Sequence, residues 1–82
     1  MPRRLRVNDP APATLMQAHE VLRTQRPKLA DEPAAWITFH RHSAEVYAAV
    51  AQVDTDHRYE AQVLAGQEIR RAREIEDRLT SS

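Results

Sequence analysis

The pattern of apolar and polar positions predicts three helices and no strands. Apolar residues recur three and four positions apart in three stretches, which is the spacing of one face of an α-helix. The stretches place helices over about residues 14–26, 32–53 and 56–79, within a single domain of residues 14–79. Because short loops make neighbouring helices antiparallel, we expect an all-α, three-helix domain. Its short first helix packs on a long antiparallel helical hairpin.

Polar residues at the ends of these stretches mark where the helices begin and end. Thr14 is followed three residues later by Gln17, the pattern of a capping box. Asp31 is expected to be the N-cap of the second helix, with Pro33 in its first turn. Residues 54–56 (Asp-Thr-Asp) favour turns over helix interiors and predict the break between the second and third helices.

The two ends of the chain carry no apolar period. Residues 1–13 contain three prolines together with Arg3, Arg4 and Arg6, and they are predicted to form a flexible, basic, proline-rich arm. The arginines of this arm are candidates for contact with an anionic partner. Residues 80–82 are predicted to be a frayed tail.

The second helix is apolar around most of its circumference, which is typical of a helix covered on two sides. One of its apolar stripes faces the third helix. Phe39, Val46 and Val53 form a second apolar face. Because the first helix is too short to cover all of that face, we expect these three residues to form an interaction surface.

Polar residues interrupt the apolar stripes between the second and third helices. His40, Ser43 and Tyr47 lie on the second helix and Glu68 on the third. A hinge at Thr55 places His40 level with Glu68, and a buried carboxylate without a partner is costly, so the two are predicted to touch directly or through one water. We interpret the four residues as a buried polar layer that fixes the register of the helices. The alternative interpretation is a pH-sensitive switch or half of a binding site.

Composition indicates a thin core. Only 41% of the 82 residues are apolar, many of these are alanine, and four residues are aromatic. Small domains bury a small fraction of their surface and are marginally stable. A protein partner, either a second copy of the chain or another protein, would supply the missing burial.

Charge and residue usage set several chemistries aside. Twelve basic and twelve acidic residues cancel, which disfavours a uniformly basic nucleic-acid binder. The chain has no cysteine, which excludes disulfides and thiolate sites, and a single glycine, Gly66, which excludes a glycine-rich phosphate loop. His40 and His42 are two residues apart and point to different faces of a helix. We therefore predict no catalytic residues, no metal site and no cofactor.

No apolar run reaches the ~18 residues that a membrane span requires. The first residues are basic but lack the apolar stretch of a signal peptide. A cytoplasmic location without membrane contact is the resulting expectation.

The segment from Trp36 to Ile75 carries a family resemblance. Residues 40–54 (HRHSAEVYAAVAQVD), followed by His57 and Glu60, resemble a family of short, uncharacterised helical proteins from actinomycetes. The resemblance covers about half of the chain. It implies no activity, since none is assigned to that family.

Three hypotheses for function follow. The leading one is a non-catalytic protein–protein interaction module, with a homodimer among its forms, because the central helix is apolar on two sides. The alternative is an accessory factor in DNA-binding regulation that contacts nucleic acid through the N-terminal arginines. The third is a small metal- or ligand-binding helical bundle.

Overall fold

Three α-helices account for most of the chain. The computed structural model describes residues 11–81, with α1 at Leu15–Gln25, α2 at Pro33–Val53 and α3 at Arg58–Thr80. A short 3₁₀ turn at Thr55–His57 joins α2 to α3. No strand occurs in this part of the chain. The predicted arm falls largely within residues 1–10, so Arg3, Arg4 and Arg6 lie outside the described residues.

Two hydrogen bonds fix the start of α1. The Thr14 hydroxyl accepts a bond from the Gln17 backbone N–H at 3.1 Å, as the capping-box pattern predicts. The Gln17 side chain reaches back to the N–H of Ala13 at 2.8 Å, one residue before the position in the usual motif. These bonds satisfy N–H groups that a helix N-terminus otherwise leaves unpaired.

The start of α2 differs from the expectation that Asp31 is its N-cap. Glu32 occupies the N-cap position and makes no side-chain capping bond, and Pro33 is the first helical residue. The Asp31 carboxylate instead accepts the Lys28 N–H at 2.9 Å, and the Asp31 N–H donates to the Lys28 carbonyl at 2.9 Å. Asp31 therefore closes the turn between α1 and α2, with its carboxylate engaged one residue before the N-cap of α2.

The helices run in alternating directions, and the predicted fold class is confirmed. Arg58 at the start of α3 donates to the Ala51 carbonyl near the end of α2. His40 and Arg41, nearer the start of α2, pair with Glu68 and Glu76 further along α3, so the two helices are antiparallel. α1 is antiparallel to α2, because Leu15 lies against the end of α2 and Arg26 lies over Trp36 near its start. At 1.5 Å per residue, the 11 residues of α1 span about 16 Å and the 21 of α2 about 31 Å. One short helix therefore covers about half the length of one face of the hairpin.

The core lies where α1 meets the hairpin. Its buried members are mostly small: Leu15, Ala18, Leu22, Tyr47, Val50, Ala51, Ala61 and Ala65. Alanine lets helix backbones approach closely but buries little apolar area, so hydrophobic stabilisation at about 25 cal/mol per Å² is modest.

The structure divides the predicted surface of Phe39, Val46 and Val53. Phe39 and Val46 are half-buried and pack against the core, to which α1 contributes Leu15, Ala18 and Leu22. Val53, the last residue of α2, is 61% exposed. The three side chains therefore do not form one uncovered face, because α1 lies antiparallel to α2 and completes the core beside two of them.

Candidate functional site

A cleft with a polar floor lies among the three helices on the side of the hairpin that α1 covers. The cavity measures about 360 Å³, and His40, Ser43, Tyr47 and Glu68 all line it. These are the four residues that the sequence places in a buried polar layer. We call this cavity the polar cleft.

The Glu68 carboxylate is the centre of the polar cleft. Its Oε1 lies 2.7 Å from Nδ1 of His40, and its Oε2 accepts a bond from Nη1 of Arg71 at 2.6 Å. Glu68 is 6% exposed, and the two bonds engage both oxygens of a carboxylate that would be costly to bury alone. The contact between His40 and Glu68 is direct, at the register that a hinge near Thr55 predicts.

The other two buried polar groups bond to different partners. The Tyr47 hydroxyl lies 2.8 Å from Nδ1 of His19, and the two rings meet edge to face with centroids 5.5 Å apart. Burial is the main cause that raises the pKa of Tyr47, and the charge of Glu68 adds to it. Ser43 donates to the Phe39 carbonyl at 2.8 Å. The sequence reasoning missed His19, although it lies one turn after Leu15 at the edge of the apolar face of α1.

The buried polar groups of the polar cleft are bonded within the chain. Ser43 is bonded to a backbone carbonyl, and across residues 11–81 no hydrogen bond links it to His40. Every buried side-chain nitrogen and oxygen in the described chain has a partner. No group of three or more His, Asp, Glu or Cys side chains in that part of the chain is arranged to hold a metal ion.

The mouth of the polar cleft is basic. Arg23, Arg26 and Arg71 line it. Arg23 pairs with Glu20 on the exposed surface of α1. The Arg26 guanidinium lies 5.4 Å from the centroid of the Trp36 ring, within the range of a cation–π contact.

Asp54 forms a second polar junction, at the hinge of the hairpin. Its Oδ2 accepts the Leu15 N–H at 2.8 Å and lies 3.0 Å from Nδ1 of His57. The bond from Leu15 is the largest cause that lowers the pKa of Asp54, followed by the bond from His57. The bond to Asp54 and its charge raise the pKa of His57. Asp54, the C-cap residue of α2, thus also caps α1, whereas the sequence analysis assigned residues 54–56 to the break between α2 and α3.

The opposed pKa shifts predict how the junction responds to pH. Because folding raises the pKa of His57, the bond between His57 and Asp54 stabilises the fold fully below the unfolded-state pKa of about 6.5. This stabilisation is lost as pH rises through the folded-state pKa. Because folding lowers the pKa of Asp54, its ionised carboxylate stabilises the fold fully above the unfolded-state pKa of about 3.9. This stabilisation is lost as pH falls through the folded-state pKa. The junction is therefore strongest between about pH 4 and pH 6.5.

An NMR titration of the His57 imidazole checks this expectation. The wild-type midpoint should lie above about 6.5, and Asp54→Asn should move it back toward that value. Asparagine still offers an oxygen to the Leu15 N–H, so the substitution removes mainly the charge. An unchanged midpoint in Asp54→Asn would show that the junction does not hold the His57 proton.

A second cavity lies between α2 and α3 on the other side of the hairpin. It measures about 500 Å³, and no residue of α1 lines it. Its floor is made of alanines: Ala44, Ala48, Ala65 and Ala72. Ile69 lies beside them and is 46% exposed. We call this cavity the hairpin groove.

Charges of both signs surround the hairpin groove. Arg41 of α2 forms an ion pair with Glu76 of α3, and Glu45 and Arg73 also line the cavity. The rim thus contributes two positive and two negative side chains. The sequence pattern did not predict an open groove on this side of the hairpin.

The comparisons with known proteins add no family or relative. Family models, curated proteins and solved structures contain no match to this chain. The resemblance of Trp36–Ile75 to short actinomycete proteins therefore stays a prediction. No helix in residues 11–81 combines the length and the apolar character needed to cross a bilayer.

Proposed function

We propose that this chain is a non-catalytic protein–protein interaction module that docks through the hairpin groove onto a second copy of itself. The observation that carries the proposal is the open, alanine-floored face of the hairpin with Ile69 exposed beside it. A surface of this kind suits a helix laid into an apolar groove. Two such hairpins, packed face to face, form a four-helix bundle.

The floor of the hairpin groove favours a helical partner. Ala44, Ala65 and Ala72 are buried within the hairpin, and Ala48 is exposed on α2. Small side chains allow a partner helix to approach the backbone closely, so that larger side chains of the partner fill the space between. The added contact would compensate for a monomer core that is rich in alanine.

A second copy fits because the face is self-complementary. Ile69 lines the same groove as Ala44 and Ala48, and it is 46% exposed. A two-fold axis brings the same patch of both subunits together, so each Ile69 can enter the hollow of the other subunit. Helix pairs commonly pack in this way, with a side-chain knob in a hole of the facing helix.

The rim charges support the same partner. The two arginines and two glutamates of the rim sum to zero, and the whole chain has a formal net charge of zero. Net charge therefore does not oppose the association of two copies. Because the rim of the groove carries charges of both signs, opposite charges can face each other across a two-fold axis.

Ala48→Arg tests the proposal. Sedimentation equilibrium at high micromolar concentration should show a wild-type dimer. The arginine of Ala48→Arg appears twice in a symmetric interface, and each overpacked site costs roughly 1–3 kcal/mol. The dissociation constant of the dimer should therefore rise at least tenfold. Ala49→Arg is the matched control, because Ala49 is also exposed on α2 but lines neither cavity. Arginine is a good helix former, so both variants should keep their helical circular dichroism.

Two results would contradict the proposal. One is a wild-type chain that stays monomeric throughout the concentration range. The other is a dimer that Ala48→Arg and Ala49→Arg affect equally.

A further inference from the structure

The polar cleft carries a charge pattern that the proposed interaction module does not use. Three arginines line it: Glu20 pairs with Arg23, Glu68 pairs with Arg71, and no ion pair within residues 11–81 engages Arg26. Glu68 is 6% exposed, and His40 and Arg71 engage its two carboxylate oxygens. Arg26 therefore gives the mouth one positive charge that no carboxylate of residues 11–81 offsets, although the chain as a whole is neutral. A concave site lined mainly by one sign of charge concentrates ions of the opposite sign.

Within residues 11–81, Arg26 is held over an aromatic ring and not by a carboxylate. Its guanidinium lies over the Trp36 ring, and the indole N–H of Trp36 donates to the Lys28 carbonyl at 3.1 Å, which fixes the ring. Among residues 11–81, no ion pair engages Arg26. Its planar set of N–H donors matches the two oxygens of a carboxylate or the oxygens of a phosphate.

Arg71 supplies a second donor at the same mouth. Its Nη1 bonds to Glu68, while more than half of its side chain remains exposed. A guanidinium has five N–H donors, so further donors remain for a ligand. The Glu68 bond limits the freedom of the side chain, which reduces the entropy lost when a ligand binds.

The walls of the polar cleft indicate what the rest of the ligand is like. Leu22, Phe39 and Leu64 line it together with the polar groups. A cavity of about 360 Å³ lies within the size range of small-molecule sites, which combine apolar walls with a few convergent polar groups. An acid group at the arginines and a compact apolar body against the walls would fit both features.

We infer that the polar cleft binds a small organic anion, with its acid group on Arg26 and Arg71 and its apolar part against Phe39. The polar cleft and the hairpin groove share no lining residue. The inference goes beyond the proposed function, because anion binding and self-association are measured on opposite faces and can fail separately.

Benzoate is the probe, and benzamide, its neutral analogue of similar shape, is the matched ligand control. In a titration followed by amide NMR at low ionic strength, benzoate should shift signals of residues around the polar cleft in a saturable way. Benzamide should bind at least tenfold more weakly, because it lacks the charge that the arginines recognise. The hairpin-groove signals should stay in place.

Arg26→Gln should weaken benzoate binding roughly tenfold or more, since it removes a charge-assisted hydrogen bond. Arg26→Lys should recover part of the affinity as a point charge without the planar set of donors. Arg70→Gln is the control, because Arg70 is exposed on α3, has no ion pair within residues 11–81 and lines neither cavity. Circular dichroism shows whether each variant keeps its fold.

The inference is overturned if benzoate and benzamide bind alike, or if Arg26→Gln and Arg70→Gln bind benzoate with the same affinity. Non-saturable shifts spread over all surface arginines would also overturn it, since they indicate general ionic attraction and no site.

Discussion

His40→Leu is expected to lower the free energy of unfolding by about 3 kcal/mol, between the ~1–3 kcal/mol of a lost buried hydrogen bond and the 3–5 kcal/mol of a broken buried ion pair. The substitution leaves Oε1 of Glu68 without its bond inside the hairpin. Arg71 still holds Oε2, which keeps the cost below the upper limit. Urea unfolding followed by circular dichroism measures the change.

His42→Leu is the matched control, because His42 is an exposed histidine two residues further along α2. Its stability should stay within about 0.5 kcal/mol of the wild type. In the double variant His40→Leu with Glu68→Leu, most of the lost stability should return, since two apolar side chains replace both members of the pair. Equal effects of His40→Leu and His42→Leu would show that the polar layer contributes nothing specific.

Leu22→Ala is expected to destabilise the fold by about 2–5 kcal/mol, the range for truncating a buried leucine. Leu22 is 4% exposed and is one of three α1 side chains in the core. An isolated helix of 11 residues is marginal in water, so α1 depends on this packing. The amide hydrogens of α1 should then exchange faster than those of the hairpin.

Met16→Ala is the control for Leu22→Ala, because it changes the helix propensity of α1 without removing a buried side chain. Met16 lies on the same helix but is 78% exposed, so its truncation should change the unfolding free energy by no more than about 0.5 kcal/mol. If Leu22→Ala were as mild as Met16→Ala, α1 would not form part of the cooperative core.

The hairpin is predicted well because the patterns that specify it are regular and lie within short stretches of the chain. α2 and α3 each carry a long stripe, and the polar break at residues 54–56 sets the point about which they fold. Those two facts bring His40 level with Glu68, and the structure shows the contact at 2.7 Å. Ser43 and Tyr47 follow from the same register, and both are buried.

The path of α1 could not be predicted from its own residues. Its apolar stripe is short, so it does not specify which side of the hairpin it covers. The bond from Leu15 to Asp54 spans 39 positions and exists only once that side is chosen. The same choice buries part of Phe39 and Val46, and α1 does not cover the hairpin groove on the other side. Of the three residues predicted as an interaction surface, Phe39 and Val46 therefore pack against the core, and Val53 stays exposed.

Local competition explains the error at the start of α2. Asp31 and Glu32 are adjacent, and either can precede a helix that begins at Pro33. Asp31 accepts a backbone N–H within the preceding turn, and a carboxylate engaged there does not cap the helix that follows. The pattern of residue types alone does not show which of these bonds forms.

Intermolecular contacts between two copies test the proposed docking face most directly. A mixture of ¹³C-labelled and unlabelled chains, examined by isotope-filtered NMR, reports only contacts between subunits. We expect cross-peaks from the Ile69 methyl groups of one subunit to Ala48 of the partner subunit, and their loss in Ala48→Arg. A dimer whose cross-peaks arise at Val53 or Met16, or a sample with no intersubunit cross-peaks at high concentration, would contradict the assignment of the hairpin groove as the interface.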